Sequence, residues 1–320
     1  MRRKPTQALK SMAPWGQVED APAKVNLTLR ITGRRADGYH KLSSLIVFAS
    51  LGDRVAVDQA AEWGVSLTGP LAGPLKSEPP EANLAVRAAK ALAAALGRPS
   101  GEAVHIRLEK HIPMAAGLGG GSADAAAVLR LLAKAWGDVE PAILHPIALG
   151  LGADVPVCAF NAPAMAEGIG EVLTPLPALP DLPAVLVNPQ VPVPTGPVFA
   201  RLKAAGSPLR DDTALADGVK AGLSFGGLID AVGRERNDLE APAIDLQPVI
   251  ADVLDALRAT TGCVLARMSG SGATCFGVFP TAEEASRASQ ALTSAHPDWW
   301  VKPITLYGKA QEKGRVSSAG

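Results

Sequence analysis

Residues Pro113–Ala126, PMAAGLGGGSADAA, contain a dense cluster of glycines. Glycine occupies four of the five positions from Gly117 to Gly121, called here the Gly-rich loop, and a run of small residues typical of a helix follows at once. Because glycine costs backbone entropy on folding, such a cluster is expected where the chain bends unusually or approaches another group closely. That group is either a ligand or a neighbouring helix, and this stretch alone leaves both alternatives open.

The Gly-rich loop lies between a predicted strand and a predicted helix. The preceding segment AVHIRLEK alternates apolar and polar residues, as a half-buried strand does, and the helix is predicted over about Ser122 to Trp136. This order suits an anion-binding site, because the N–H groups and the dipole at a helix N-terminus favour negative charge. The loop lacks the Gly-Lys-Ser/Thr of a Walker A motif, and Ser122 stands where a Rossmann fingerprint has its third glycine. It is therefore neither of those two motifs.

The composition limits the class of protein. A chain of 320 residues exceeds the usual size of one hydrophobic core, so two domains are predicted. The 31 basic and 31 acidic residues cancel, which disfavours nucleic acid as a partner. Three cysteines without a CxxC pair predict neither a disulfide framework nor a zinc site. Because the sequence shows neither a secretion signal nor an apolar run of membrane-spanning length, we expect a cytoplasmic protein with no membrane partner.

The domain organisation is predicted from shifts in composition. The segment TPLPALPDLP, residues 174–183, has four prolines in ten positions and marks the boundary between two domains. The prediction is a flexible tail over residues 1–18, an N-terminal domain over 19–176, a C-terminal domain over 177–308 and a second flexible tail over 309–320. Strands interspersed with helices in both domains predict an α+β fold.

Three local patterns give further predictions. The segment AKVNLTLRIT, residues 23–32, alternates with a period of two and is predicted as one strand with Lys24 and Asn26 on its non-core face. Pro146 is predicted to begin a helix, because inside one it would remove a hydrogen bond and clash. A helix in the second domain is predicted to open with a capping box formed by Thr281 and Glu284.

Other short segments each have a structural and a functional interpretation. In GLGADVP, residues 150–156, Asp154 is either a local cap at a helix-ending turn or a positioned carboxylate. MSGSGAT, residues 268–274, is either a Gly-rich hairpin or an anion-binding turn. Tyr39 and His40 follow an Asp-Gly turn and are either a surface pair or a clamp for a ring. Taken singly, each segment is more typical of its structural role.

Three segments taken together in chain order resemble the three motifs of the GHMP kinase superfamily. They are APAKVNLTLRITGRRADGYHKL, PMAAGLGGGSADAA and LARMSGSGATCFGVF, and the match runs from about Ala21 to Phe279. PAKVNL, DGYH, GADVPV and AEGIGE are most similar to the branch that phosphorylates 4-diphosphocytidyl-2-C-methyl-D-erythritol. The resemblance implies an α+β, two-domain fold. Its N-terminal domain would resemble ribosomal S5 domain 2, its C-terminal domain would be ferredoxin-like, and the active site would lie between them.

The resemblance also implies an activity and a set of site residues. The activity is ATP-dependent phosphorylation of the 2-hydroxyl of 4-diphosphocytidyl-2-C-methyl-D-erythritol in the non-mevalonate isoprenoid pathway, with ATP and Mg²⁺ as cofactors. Lys24 and Asp154 match the catalytic pair. The positions that match ATP-binding residues are Asn83, near adenine, and Pro113, Met114, Ala115, Ala116, Gly117, Leu118, Gly119, Gly120, Gly121 and Ser122. The positions that match substrate-binding residues are Asn26, Tyr39, His40, Phe199, Ser269, Gly270, Ser271 and Gly272.

Within those sets, the resemblance implies some individual roles. Tyr39 and Phe199 would cover the two faces of cytosine, and His40 would hydrogen-bond to the same ring. Ser122 would contact Mg²⁺, which the ATP phosphates would otherwise hold. Relatives often have Gly-Gly at positions 115–116, a second serine at position 123 and an aromatic residue at position 46, where this chain has alanines and an isoleucine. These departures bear on affinity, because none removes a group that the chemistry needs.

Two alternatives stay open beside this interpretation. The first is a kinase for another small alcohol, such as homoserine or mevalonate, although such a substrate gives Tyr39 and His40 no cytosine to bind. The second is a nucleotide- or RNA-binding protein without catalysis, which the neutral charge and the presence of Lys24 and Asp154 disfavour. Asp154 is either a general base or a group that orients the hydroxyl. We expect a monomer or a weak homodimer.

Overall fold

The computed structural model describes residues 15–73, 79–98, 102–204 and 219–310 of the chain. The strands in these ranges are β1 (Val18–Asn26), β2 (Arg30–Arg34), β3 (His40–Gln59), β4 (Gly64–Thr68), β5 (Val104–Glu109), β6 (Ala164–Gly168), β7 (Val172–Pro175), β8 (Leu182–Asn188), β9 (Leu265–Met268), β10 (Cys275–Val278) and β11 (Trp300–Tyr307). The helices are α1 (Leu84–Ala95), α2 (Gly120–Ala135), α3 (Pro141–Leu151), α4 (Val155–Phe160), α5 (Thr195–Ala204), α6 (Phe225–Gly233), α7 (Glu240–Leu246), α8 (Val249–Ala259) and α9 (Ala282–Ala295).

These strands form one mixed sheet centred on β3. Along its main path the order is β4-β5-β3-β11-β8-β10-β9, and β3 also pairs antiparallel with β1, β2 and β6. Strand β11 joins the two halves, because Leu306 and Tyr307 pair with Ala49 and Phe48 of β3, while residues 300–306 pair with β8 on the other side. Since the sheet is continuous across position 176, the division into domains at that position stays a prediction.

Buried apolar side chains form three clusters around the sheet. The first packs α1 and α2 against the β3–β5 part of the sheet and includes Leu92, Ile106 and Leu132. The second lies where the two halves of the sheet meet, and the third lies under the C-terminal helices. Leu118, inside the Gly-rich loop, is wholly buried in the second cluster. Burial of one such side chain contributes about 1.5–3 kcal/mol, so Leu118 anchors the loop to the core.

The strand predicted over residues 23–32 is divided in the structure. β1 ends at Asn26 and β2 begins at Arg30, and the side chains expected on a non-core face, Lys24 and Asn26, are both buried, each 3% exposed. The reason is tertiary, since the Gly-rich loop and the segment after β9 cover that face. Lys24 N donates to Leu118 O at 3.0 Å, and Asn26 N donates to the hydroxyl of Ser269 at 3.1 Å.

Helix α3 also differs from its prediction. It begins at Pro141 and contains Pro146 in its interior, so the prediction that Pro146 begins the helix is wrong. Pro141 takes the first helical position, where its missing N–H would have no partner in any case. Pro146 is exposed. The carbonyl oxygen that has no N–H partner at Pro146 can therefore bind water instead.

The two ends of the described chain give further comparisons with the sequence analysis. Trp15 packs against the first core cluster and Gly16 N donates to Val57 O, so the described chain is already held at a position predicted to belong to the tail. Residues 1–14 and 311–320 of the predicted tails lie outside the described residues. Thr281 is confirmed as the residue that opens helix α9, because its hydroxyl accepts from Glu284 N at 3.2 Å. The Glu284 carboxylate accepts from the Thr281 hydroxyl at 3.3 Å and not from Thr281 N, so the second bond of the predicted capping box is not formed. Among the described helices, none has the length and apolar character needed to cross a membrane.

Candidate active site

The Gly-rich loop connects β5 to the N-terminus of α2 through left-handed backbone. Gly117 and Gly119 have φ angles of +75° and +67°, which glycine adopts without a steric penalty from a Cβ. A Cβ at Gly119 would lie 2.9 Å from Cγ of Lys24, so glycine lets the Lys24 side chain pass the loop. Ala115 also has a positive φ, of 47°, a conformation that residues with a Cβ rarely adopt. The first N–H groups of α2 have no partner within the helix and suit an anion.

Lys24 and Asp154 meet at the inner end of this loop. Nζ of Lys24 lies 3.4 Å from Oδ2 of Asp154, and it donates to Oδ1 of Asn26 at 2.7 Å. The Lys24 side chain is 4% exposed and that of Asp154 is 44% exposed. Asp154 directly precedes α4 but makes no side-chain capping hydrogen bond to that helix. Its carboxylate is therefore available to Lys24 and to a ligand, which favours the functional interpretation of GLGADVP.

A cavity of about 940 Å³ opens over this pair. The predicted residues that line it are Lys24, Asn26, Tyr39, His40, Asn83, Pro113, Met114, Ala115, Ala116, Gly117, Gly119, Gly120, Gly121, Ser122, Asp154, Phe199, Gly270 and Ser271. Asn83 reaches the wall as the N-cap of α1, where its Oδ1 accepts from Ala85 N at 3.0 Å. Segments far apart in the chain thus contribute to one concave site.

Three predicted residues lie behind the cavity wall. Leu118 is in the core. Gly272 packs closely against Met268, since a Cβ at Gly272 would lie 2.7 Å from Sδ of that residue. The Ser269 hydroxyl is buried, accepts from Asn26 N and donates to Gly117 O, both at 3.1 Å. Ser269 therefore joins β1 to the Gly-rich loop, whereas the resemblance implies a place at the substrate end of the site.

The rings at the opposite end of the cavity are already in contact. His40 stacks on Phe199 with ring centroids 4.8 Å apart and 25° between the planes, while Tyr39 is 62% exposed. Near Phe199, the hydroxyl groups of Thr195 and Ser271 lie 2.9 Å apart. The resemblance implies that His40 and Phe199 surround one ligand ring, and the structure adds that Phe199 covers one face of His40 itself.

A buried ionic cluster beside the Gly-rich loop was missed by the sequence analysis. The Lys110 ammonium donates to both the Asp53 and the Asp124 carboxylates, and all three side chains are 4% exposed or less. Oδ1 of Asp53 accepts from His111 N and Ile112 N, whereas Oδ1 of Asp124 has no partner among the described residues. Lys110 and Asp124 both line the cavity. A charged residue that directly follows a strand is a weak signal, and partners so distant in sequence could not be paired from it.

Burial controls the protonation of this cluster. It raises the pKa of Asp124 to about 7, because loss of water outweighs the attraction of Lys110, and the nearby Asp53 carboxylate adds to the rise. Burial alone would lower the pKa of Lys110, but the Asp124 and Asp53 carboxylates outweigh it and raise that pKa. Lys110 therefore stays protonated, and the Asp124 carboxyl loses its proton near neutral pH.

A dependence of stability on pH follows from Asp124. Its pKa is higher in the folded state than in the unfolded chain, so the free energy of unfolding should fall as pH rises from about 4 to about 7. At about 1.4 kcal/mol per pKa unit, this fall is on the order of 4 kcal/mol. Asp124→Asn should remove this component, and urea unfolding between pH 4.5 and 7.5 measures it. The exposed Asp252→Asn is the control, and equal slopes for wild type and Asp124→Asn would contradict the prediction.

Comparison with known proteins places this architecture in a family. Residues 83–162 match the model of the GHMP kinases N terminal domain, and residues 221–298 match that of the GHMP kinases C terminal domain. The chain is 47% identical over 288 residues to 4-diphosphocytidyl-2-C-methyl-D-erythritol kinase of Paramagnetospirillum magneticum, covering 90% of this chain and 97% of the relative. The identity to the protein of the same name from Methylobacterium radiotolerans is 49% over 290 residues, covering 89% and 97% of the two chains.

Solved structures agree with these relatives. A crystal structure of 4-(cytidine 5'-diphospho)-2C-methyl-D-erythritol kinase matches with a TM-score of 0.70 and 37% identity, covering 91% of this chain and 99% of the other. Homoserine kinase from Cytophaga hutchinsonii gives the same TM-score at 21% identity, covering 96% and 98% of the two chains, which shows a shared fold alone. The predicted α+β GHMP kinase fold is thus confirmed. The chain belongs to the 4-diphosphocytidyl-2-C-methyl-D-erythritol kinase family of the GHMP kinases.

Proposed function

We propose that this protein transfers the γ-phosphoryl group of ATP to the 2-hydroxyl of 4-diphosphocytidyl-2-C-methyl-D-erythritol, giving ADP and the 2-phosphate, in non-mevalonate isoprenoid biosynthesis. The observation that carries the proposal is the pairing of Lys24 with Asp154 on the cavity wall, beside the N-terminus of α2. A carboxylate, an ammonium and an anion-binding helix end can position the reactants and stabilise charge in phosphoryl transfer to an alcohol. The names of the relatives supply the identity of the alcohol.

The proposed chemistry assigns one role to each member of the pair. The substrate hydroxyl attacks the γ-phosphorus, a new O–P bond forms, and the bond from that phosphorus to the β,γ-bridging oxygen breaks to release ADP. Asp154 accepts the hydroxyl proton as the attack proceeds, and Lys24 stabilises the negative charge that develops on the attacking oxygen. The exposure of Asp154 supports this assignment, because a base must reach the substrate, while the burial of Lys24 strengthens its charge effect.

ATP is assigned to the part of the cavity formed by α1, β5 and α2. Asn83 would lie near adenine, and N–H groups from Gly117 to Ser122 would donate to the triphosphate. Mg²⁺ neutralises phosphate charge when bound. The described residues offer no group of three or more His, Cys, Asp or Glu side chains for a metal. That fits a cation held mainly by ATP oxygens with Ser122 as its contact on the protein, since Mg²⁺ is commonly bound by one or two protein oxygens and phosphates.

The cytidine moiety is assigned to the end of the cavity formed by Tyr39, His40 and Phe199. Phe199 already stacks on His40, so an aromatic surface is present at that end before any base arrives. The exposed Tyr39 ring would cover one face of cytosine, Phe199 would cover the other, and His40 would hydrogen-bond to it.

We also propose that the enzyme works in the cytoplasm as a monomer or a weak homodimer.

Phosphorus NMR of the purified protein with Mg-ATP tests the function. Parallel samples contain 4-diphosphocytidyl-2-C-methyl-D-erythritol, homoserine, mevalonate or no alcohol. We expect ADP and a new phosphomonoester signal with the cytidyl compound alone. Turnover of another alcohol would retain the kinase and its Lys24–Asp154 chemistry but reject the assignment of Tyr39, His40 and Phe199. ATP binding without turnover of any alcohol would favour the non-catalytic binding protein instead.

A further inference from the structure

The Lys24 ammonium is held by a side-chain amide whose orientation matters. Asn26 presents Oδ1 to Nζ of Lys24 at 2.7 Å, a shorter contact than the 3.4 Å between Lys24 and Asp154. A carboxamide rotated by 180° would present its NH₂ group to the ammonium, replacing an acceptor with a donor. The position of Lys24 beside Asp154 therefore depends on what keeps the Asn26 amide from rotating.

Ser44 of β3 fixes that orientation. The Ser44 hydroxyl donates to the backbone carbonyl of Thr28 at 2.5 Å and accepts from Nδ2 of Asn26 at 2.8 Å. A hydroxyl has one proton, and a carbonyl oxygen can only accept, so the proton of Ser44 is committed to Thr28. Oγ of Ser44 can then only accept a hydrogen bond from Asn26. It therefore pairs with the NH₂ group of the amide, which leaves Oδ1 to accept from Lys24.

Burial excludes water from the Ser44 and Thr28 end of this series of hydrogen bonds. Ser44 and Thr28 are wholly buried, and Asn26 and Lys24 are each 3% exposed. Thr28 is fixed in turn, because its hydroxyl accepts from Leu45 N at 3.0 Å. In a buried site a lost partner is not replaced by solvent, so the direction of each bond is set by the next one.

We propose that Ser44 is a positioning residue for phosphoryl transfer, which acts through the Asn26 carboxamide to hold the Lys24 ammonium beside Asp154. The proposal rests on the function proposed above and adds to it a residue that does not line the cavity. The relay orients Lys24 at the reacting hydroxyl, and the assigned ATP and cytidine sites lie elsewhere in the cavity. Its loss should therefore lower kcat much more than it raises KM for either substrate, although Asn26 itself matches a substrate-binding position.

The kinetic test compares three variants of the full-length protein. Ser44→Ala should lower kcat about tenfold with less than a twofold change in either KM. Ser44→Thr keeps the hydroxyl and should retain more than half of the wild-type kcat. Ser43→Ala is the matched control, because successive residues of a strand point to opposite faces, and it should behave as wild type. A wild-type kcat for Ser44→Ala, or equal losses for the alanine and threonine variants, would overturn the proposal.

Hydrogen exchange of the Asn26 carboxamide tests the relay without any turnover. Two-dimensional ¹H–¹⁵N NMR should show slow exchange of its NH₂ protons in wild type and Ser43→Ala, and at least tenfold faster exchange in Ser44→Ala. Unchanged exchange in Ser44→Ala would reject the relay even if the enzyme is active. If the wild-type protein transfers no phosphate, the proposed function fails, and this measurement still decides whether Ser44 orients Asn26.

Discussion

Asp154→Asn is expected to lower kcat by about 10²–10⁴-fold, the usual contribution of general acid–base catalysis. The amide of asparagine cannot take the proton of the substrate hydroxyl, and it removes the negative partner 3.4 Å from Lys24. The fold should survive, because the Asp154 side chain is 44% exposed and Lys24 keeps its hydrogen bond to Asn26. An ion pair with one partner this exposed contributes little to stability, roughly 1 kcal/mol or less. Steady-state kinetics with a thermal melt measures both effects.

A matched control separates the role of Asp154 from the general loss of a carboxylate. Asp255 forms an exposed ion pair with Arg258 at 3.1 Å on helix α8, and Asp255→Asn should keep the wild-type kcat. If Asp154→Asn retained a kcat within a few-fold of wild type, Asp154 would orient the hydroxyl without accepting its proton. Such a result would fit a loose transition state that needs little help from a base.

Gly117→Ala is expected to be the most disruptive single substitution in the Gly-rich loop. The new Cβ would lie 2.2 Å from the Ser269 carbonyl oxygen and 3.1 Å from Gly272 N, at a φ of +75°. Left-handed backbone costs a residue with a Cβ about 1–2 kcal/mol, and overpacking adds about 1–3 kcal/mol. The free energy of unfolding should fall by roughly 2–5 kcal/mol, and ATP affinity should fall with it. Urea unfolding and nucleotide titration measure the two losses.

Gly121→Ala in the same loop is the control for Gly117→Ala. It lies in the first turn of α2, its φ is not positive, and a Cβ there would meet nothing within 4 Å. The variant should fold as stably as wild type, or more so, because alanine favours a helix over glycine by up to about 1 kcal/mol. Its KM for ATP should nevertheless rise if the triphosphate approaches the loop backbone. Equal stability losses in Gly117→Ala and Gly121→Ala would contradict the steric argument.

Much of the local structure follows from the sequence, because local patterns determine it. Alternation of apolar residues before the Gly-rich loop predicts β5, and the small-residue run after it predicts α2. Thr281, predicted to open a helix of the second half of the chain, is the N-cap of α9 in the structure. Pro146 is the counterexample, since proline excludes a regular backbone bond but does not exclude a short exposed helix around it. The identities of the candidate site residues came from the resemblance to a family, which draws on long motifs in a fixed order.

The packing of distant segments determines which polar residues are buried and which of them come into contact. Alternation of apolar and polar residues with a period of two predicts that Lys24 and Asn26 share a face of β1. It does not predict that the Gly-rich loop and Ser269 cover that face. In the same way, Lys110 forms ion pairs with Asp53 of β3 and Asp124 of α2 only because the helix packs on the sheet beside Lys110. Hydrogen bonds and ion pairs of this kind act over about 3 Å, whereas their partners are tens to hundreds of positions apart along the chain. Sequence periodicity reports the nearest neighbours of a residue, and the packing of distant segments sets its environment.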